Sequence, residues 1–223
     1  EPDWGTASLS LQQERVSRWV NDYRPSVIGV ADSRNRPPQH TFFCPIEVYN
    51  PHWMEQISKL TQAGFGDVEI HLHHDQDNAE HLKQRLLEAT HTLHQRHGLL
   101  SKDASGEIRY GFIHGNWALD NSHPTGRWCG VNNEISVLRE TGCYADFTMP
   151  AAPHAAQTRT INSIYYAIDD PASPKSHDTG IAAAVHSPPP AESLMMVQGP
   201  LVVTNPCMGR MSVENGNIAG SQP

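Results

Sequence analysis

Between Asp67 and Asp77 the chain reads Asp67-Val68-Glu69-Ile70-His71-Leu72-His73-His74-Asp75-Gln76-Asp77, apolar and ionisable residues in strict alternation and then a knot of metal-type ligands. Successive side chains of a strand point to opposite faces. Val68, Ile70 and Leu72 therefore pack on one side, while Glu69, His71 and His73 form a column on the other, with His74, Asp75 and Asp77 in the turn beyond. Imidazole nitrogen and carboxylate oxygen suit Zn²⁺ and related divalent cations. His71 and His73, at i and i+2, can face one ion, and Asp77, four residues past His73, can supply the carboxylate. His74 and Asp75 take their place if the register differs by one residue. Glu69, deeper in the column, would orient an imidazole from behind. A lone histidine at a strand end is usually a satisfied polar group, but five such residues together favour a site.

A second cluster follows in Tyr110-Gly111-Phe112-Ile113-His114-Gly115-Asn116-Trp117-Ala118-Leu119-Asp120. His114 would complete the metal shell or donate a proton to a leaving group. Trp117 and Trp128 lie in a long polar loop beside Asn116 and Asp120. Indole faces next to amide and carboxylate groups suit a sugar, whose CH face stacks while its hydroxyls need paired partners. The competing explanation is that both indoles only anchor the loop. For a proton acceptor the candidates are Asp146 and Glu47, both at expected strand ends. Cys129 and Cys143 read as packing residues, because neither has an evident paired base. The helical histidines His81, His91, His94 and His97 read as a solvated face.

The elements that must position these groups alternate along the chain. A first helix spans about 8–23, with Val16, Trp19 and Val20 on one face. Strands are expected at His40 to Cys44, Asp67 to His73, Ile108 to His114, Tyr144 to Met149 and Asn162 to Ile168, with a last candidate at Leu201 to Val203. Asn50 and Pro51 supply the cap and first-turn proline of a helix running to Gly64, and Asn78 can cap a helix from Ala79 to His97 ending before Gly98. Asn132 or Asn133 would cap another that closes at Gly142. Strands separated by helices argue for βαβ units and a parallel sheet, open or rolled into a barrel, whose functional groups gather at the carboxyl ends of the strands.

Composition narrows the function classes. The 223 residues fit one large α/β domain, read here as a single barrel-like domain over 1–223 with a loop-rich tail from about 204. A formal charge of −8 with only 16 Lys and Arg offers no footprint for nucleic acid or an anionic membrane. No stretch approaches the ~20 apolar residues of a membrane span, and no signal peptide is visible, which favours a soluble protein and slightly favours the cytoplasm. The four cysteines form no CxxC pair, so zinc-ribbon and thioredoxin readings fail. The oligomeric state is unknown from sequence.

Phe42-Phe43 with Pro45, then Gly66 through Asp75, Gly111-Phe112-Ile113-His114-Gly115-Asn116, and Cys143 through Pro150 resemble the polysaccharide deacetylase superfamily, the NodB-type carbohydrate esterases, in a divergent bacterial branch. The resemblance covers roughly residues 38 to 170. It implies an α/β fold, a distorted (β/α) barrel of about seven strands, incomplete here at the C-terminal end, and metal-dependent deacetylation of a glycan. The chain departs from that pattern in four ways. His40 to Glu47 lacks the family's adjacent aspartates, the second metal histidine is replaced by Asp77, and no arginine motif surrounds Phe147 to Pro150. A late Leu-x-His motif is also missing, unless His186 replaces it or the chain has been cut before it. The expectation is therefore a metal-dependent, carbohydrate-active hydrolase, most simply a poly- or oligosaccharide deacetylase using zinc. The alternatives are a glycoside hydrolase on a similar barrel, which needs two flanking carboxylates, and a glycan-binding module that has lost its base.

Overall fold

The computed structural model describes residues 7–204 and 212–214. Its fold is mixed α/β, with four α-helices and seven strands hydrogen-bonded in the order β1-β2-β3-β4-β7-β5-β6. The chain divides into two compact units. The first comprises the described residues up to His71 with Glu88–Arg109, and the second Leu72–Leu87 with the described residues from Tyr110 onward.

In the first unit, helix α1 (Leu9–Val27) is capped by Ser8, whose hydroxyl accepts from Leu11 N at 3.3 Å. No residue of α1 is buried; Trp19 lies against His40 and, edge-on, against Phe42. Strand β1 (His40–Pro45) runs parallel to β2 (Gly66–Leu72), pairing His40 with Gly66 and Pro45 with His71. Glycine is required at 66, since a Cβ there would sit 2.0 Å from the His40 carbonyl oxygen. Helix α2 (Pro51–Gln62) starts as expected, with the Asn50 side chain accepting from the amides of His52 and Trp53. Trp53, Met54, Leu60, Val68, Ile70, Leu93, Leu99 and Leu100 fill this unit's core.

Helix α3 (Ala79–His97) contributes its first half to the second unit and its second half to the first. Asn78 caps it through His81 N at 3.0 Å, and Leu82 and Leu86 are fully buried. Not every helical histidine is solvated. His97 is buried, with Nε2 2.7 Å from the Tyr49 hydroxyl, and His94 Nδ1 lies 2.8 Å from the Leu100 carbonyl.

In the second unit β3 (Tyr110–His114), β4 (Cys143–Asp146) and β7 (Ser193–Gln198) are parallel neighbours. Strand β5 (Ser163–Ile168) runs antiparallel to β7 along its full length and pairs on its other edge with the short antiparallel β6 (Ile181–Ala182). The parallel expectation thus holds for β1 with β2 and for β3, β4 and β7, and fails for β5 and β6. Residues 169–192 return the chain to β7 rather than crossing over through a helix. Tyr165, Ala167, Leu194 and Met196 are buried while Ile164 and Ile168 are exposed, the period-2 pattern of a sheet with one covered face. Helix α4 (Glu134–Glu140) follows Asn133, whose side chain makes no capping bond, and buries Ile135, Val137 and Leu138. The late strand expected at Leu201 to Val203 is β8 (Val202–Thr204), paired with β9 (Ser212–Glu214). Most of the expected tail, with Cys207, lies outside the described residues.

Candidate metal centre

Three segments of the second unit converge on one buried point: the turn after β2, the end of β3, and the loop from Gly115 to Asn133 that leads into α4. Their mutual hydrogen bonds fix the geometry. Gly115 N donates to Leu72 O at 2.8 Å, Asn116 Nδ2 donates to the carbonyls of His74 and Trp128, and Asp77 N donates to Cys129 O at 2.9 Å. Trp128 N donates to the Asp75 carboxylate. The loop holds this path in left-handed backbone at four non-glycine residues, Trp117, Asp120, Asn121 and Trp128. Such conformations cost of order 1–3 kcal/mol each and persist only where surrounding contacts over-determine them.

At the centre stand His74, His114, Cys129 and Glu134, all buried, each offering one donor atom, and these atoms lie within 4.8 Å of one another. His74 Nε2 is 3.0 Å and His114 Nε2 3.9 Å from Glu134 Oε1. Cys129 Sγ is 3.2 Å from Glu134 Oε2, which also accepts from Asp120 N at 2.6 Å. Tetrahedral zinc with bonds of about 2.0–2.3 Å sets its ligands about 3.3–3.8 Å apart, so this spacing accepts an ion with small side-chain movements. The mixed nitrogen, sulfur and oxygen donors are those zinc takes. This buried His-His-Cys-Glu cluster could hold a metal ion.

Without an ion the cluster is a chain of opposed charges. Burial pulls the His74 imidazole down, and the Glu134 and Asp77 carboxylates outweigh it, lifting it to about 9. Burial pushes Glu134 up, but His114 and His74 bring it to about 2. The Cys129 thiol is pushed well above its ordinary range by burial and by Glu134. Two neighbouring carboxyls are held protonated to unusually high pH, mainly by burial: Asp120 to about 8, against the Ser176 amide that bonds it, and Asp146 to about 7, against two bonds from Thr148. Asp146 is tied to the cluster, since His114 N donates to Thr148 Oγ1, which donates to Asp146 Oδ1 at 2.6 Å.

Of the residues singled out from sequence, His74 and His114 belong to the cluster, and Asp77 stands beside it with Oδ2 3.4 Å from His74 Nδ1. His73 follows the end of β2 half-buried, and Asp75 is exposed. His71, Glu69 and Glu47 belong to the first unit, His71 half-buried and Glu69 buried in β2, Glu47 in a 3-10 turn at Ile46–Val48. Trp117 is 38% exposed. Trp128 is half-buried, its ring engaged by His123, His154 and the Arg127 guanidinium, and Asp120 is fully buried. Sequence reasoning did not single out Glu134, and it read Cys129 as packing. An acid in the first turn of a helix is ordinarily explained by the helix dipole, so Glu134 carried no distinct signal.

Among the described residues no helix is long and apolar enough to cross a membrane. No protein-family model, curated protein or solved structure matches the chain.

Proposed function

We propose that this protein is a metal-dependent hydrolase that removes acyl groups from a glycan, with a divalent cation, zinc above others, at His74, His114 and Glu134. The convergence of four buried donor atoms within 4.8 Å carries this reading. Two imidazoles and a carboxylate are a three-ligand set that leaves one coordination position open, as catalytic zinc sites do. A bound cation supplies Lewis acidity toward an acyl oxygen and lowers the pKa of water it coordinates. The chain's own contribution is proton handling and positioning. Asp146, held near 7 by burial, can accept and return a proton around neutral pH. Trp117 offers an exposed indole for a sugar face, and Asn116 holds the His74 and Trp128 backbones together. On this reading the seven-stranded sheet is a distorted relative of the deacetylase barrel, and the ion would be held by His74, His114 and Glu134 rather than by the His71, His73 and Asp77 set.

A second reading, a closed structural zinc site in a non-catalytic glycan-binding module, is favoured by the burial of all four donors, Cys129 included. Zinc content and acetate release from an acetylated oligosaccharide separate the two. The hydrolase reading expects one zinc per chain, lost in Glu134→Ala and retained in Cys129→Ser, with acetate released. A zinc-loaded protein that releases no acetate and loses its metal in Cys129→Ser supports the structural site. A protein that retains no zinc overturns both.

A further inference from the structure

We infer that Asp77 is the positioning residue of this centre: its carboxylate accepts the Nδ1 proton of His74 and so presents Nε2 of that ring to the ion. The inference rests on the metal reading above. A neutral imidazole carries one proton, and a ring that offers one nitrogen to a metal must hold the proton on the other. That N–H, when buried, needs an acceptor. In His74, Nε2 faces Glu134 at 3.0 Å and Nδ1 faces Asp77 Oδ2 at 3.4 Å, with both side chains almost wholly buried. Neither Nδ1 nor Oδ2 makes a hydrogen bond in the structure, and at 3.4 Å each is placed to satisfy the other after a small adjustment.

Asp77 is itself held from several directions, which a carboxylate that only filled space would not need. His81 Nδ1 lies 2.6 Å and Asn78 N 2.8 Å from its Oδ1, and Arg85 approaches Oδ2 at 3.7 Å. Its backbone amide is bonded to Cys129 O, and the chain at Gly130 passes so close that a Cβ there would lie 2.8 Å from both Asp77 N and O. Oδ1 is thus anchored on the first turn of α3, and Oδ2 faces the imidazole at 3.4 Å with the Arg85 guanidinium beyond it at 3.7 Å. Asp77 is not among the four converging donors, so it acts on the ion through His74.

The test is zinc affinity of the full chain, measured by competition with a chromophoric chelator. Asp77→Asn should weaken binding by roughly 10–100-fold, the usual cost of removing a carboxylate behind a metal-bound histidine. Nitrogen NMR of the zinc-loaded wild type, which needs no variant to fold, should find the His74 proton on Nδ1 and the metal shift on Nε2. Wild-type zinc binding with Asp77→Asn within threefold of it, or a His74 ring bound through Nδ1, overturns this inference and leaves the metal reading standing. A wild type that binds no zinc overturns the metal reading and the inference with it.

Discussion

Glu134→Gln keeps the shape of a fully buried side chain and removes its charge, so its effect on the metal-free protein follows from the proton balance of His74. In the folded chain the imidazole is lifted to about 9 from an ordinary 6.5. A group whose folded pKa is raised contributes stability that is complete below its unfolded pKa and is lost as pH rises through the folded one. His74 therefore contributes fully below pH 6.5 and progressively less toward 9. At about 1.4 kcal/mol per tenfold change in proton affinity, the whole effect is about 3 kcal/mol. Glu134 is the foremost of the charges that raise His74, ahead of Asp77, so Glu134→Gln should remove at least half of that pH dependence, about 2 kcal/mol. The window from pH 6.5 to 8.5 suits the measurement. Glu134, brought down to about 2, stays ionised throughout it. Asp120, near 8, and Asp146, near 7, titrate in the same window and are each raised in part by the Glu134 charge, so their share of the pH dependence falls in the variant too, in the same direction as that of His74. Urea unfolding in the presence of a chelator, at several pH values, reads the difference. At about 2 kcal/mol per molar urea, the wild-type midpoint should lose about 1 M more than the variant's across the window. Parallel midpoint curves would refute the charge pairing between His74 and Glu134.

Two further outcomes follow from the same geometry. Asp146→Asn should leave zinc content unchanged and lower acetate release by about 10²–10⁴-fold, while wild-type kcat/KM should rise with pH through about 7 as the carboxyl loses its proton; activity that survives the substitution would exclude Asp146 as the proton acceptor. Gly130→Ala forces a side chain onto a backbone at φ +97° and to within 2.8 Å of Asp77 N and O. It should cost about 1–3 kcal/mol in urea unfolding and weaken zinc binding, whereas an unchanged midpoint would mean that the loop does not press on Asp77.

Sequence order made some elements legible and hid others for identifiable reasons. Strand β2 and helices α2 and α3 announce themselves through alternation, an Asn-Pro start and an Asn cap, and each forms within about two residues of expectation. Strand β7 went unread because Ser193-Leu194-Met195-Met196-Val197-Gln198 follows a proline run and carries only one β-branched residue. The reversal of β5 was equally hidden, since its partner is reached through a long irregular segment and not through a hairpin turn with its own residue signature. In the site, local patterning marked His74 and His114 as residues at strand ends. It could not show that Glu134, sixty positions from His74, would close the cluster, because that pairing is made by the loop's left-handed path and not by spacing.

The placement of β7 between β4 and β5 sets an order on how the molecule can be made. As the chain is synthesised, β4 and then β5 emerge before the strand that joins them exists. Until Gln198 has left the ribosome, each exposes a row of unsatisfied backbone groups, a template for pairing with another nascent chain. A truncation just before Ser193 would therefore remove the middle of the sheet rather than its end, and aggregation, more than lost activity, should be its first symptom.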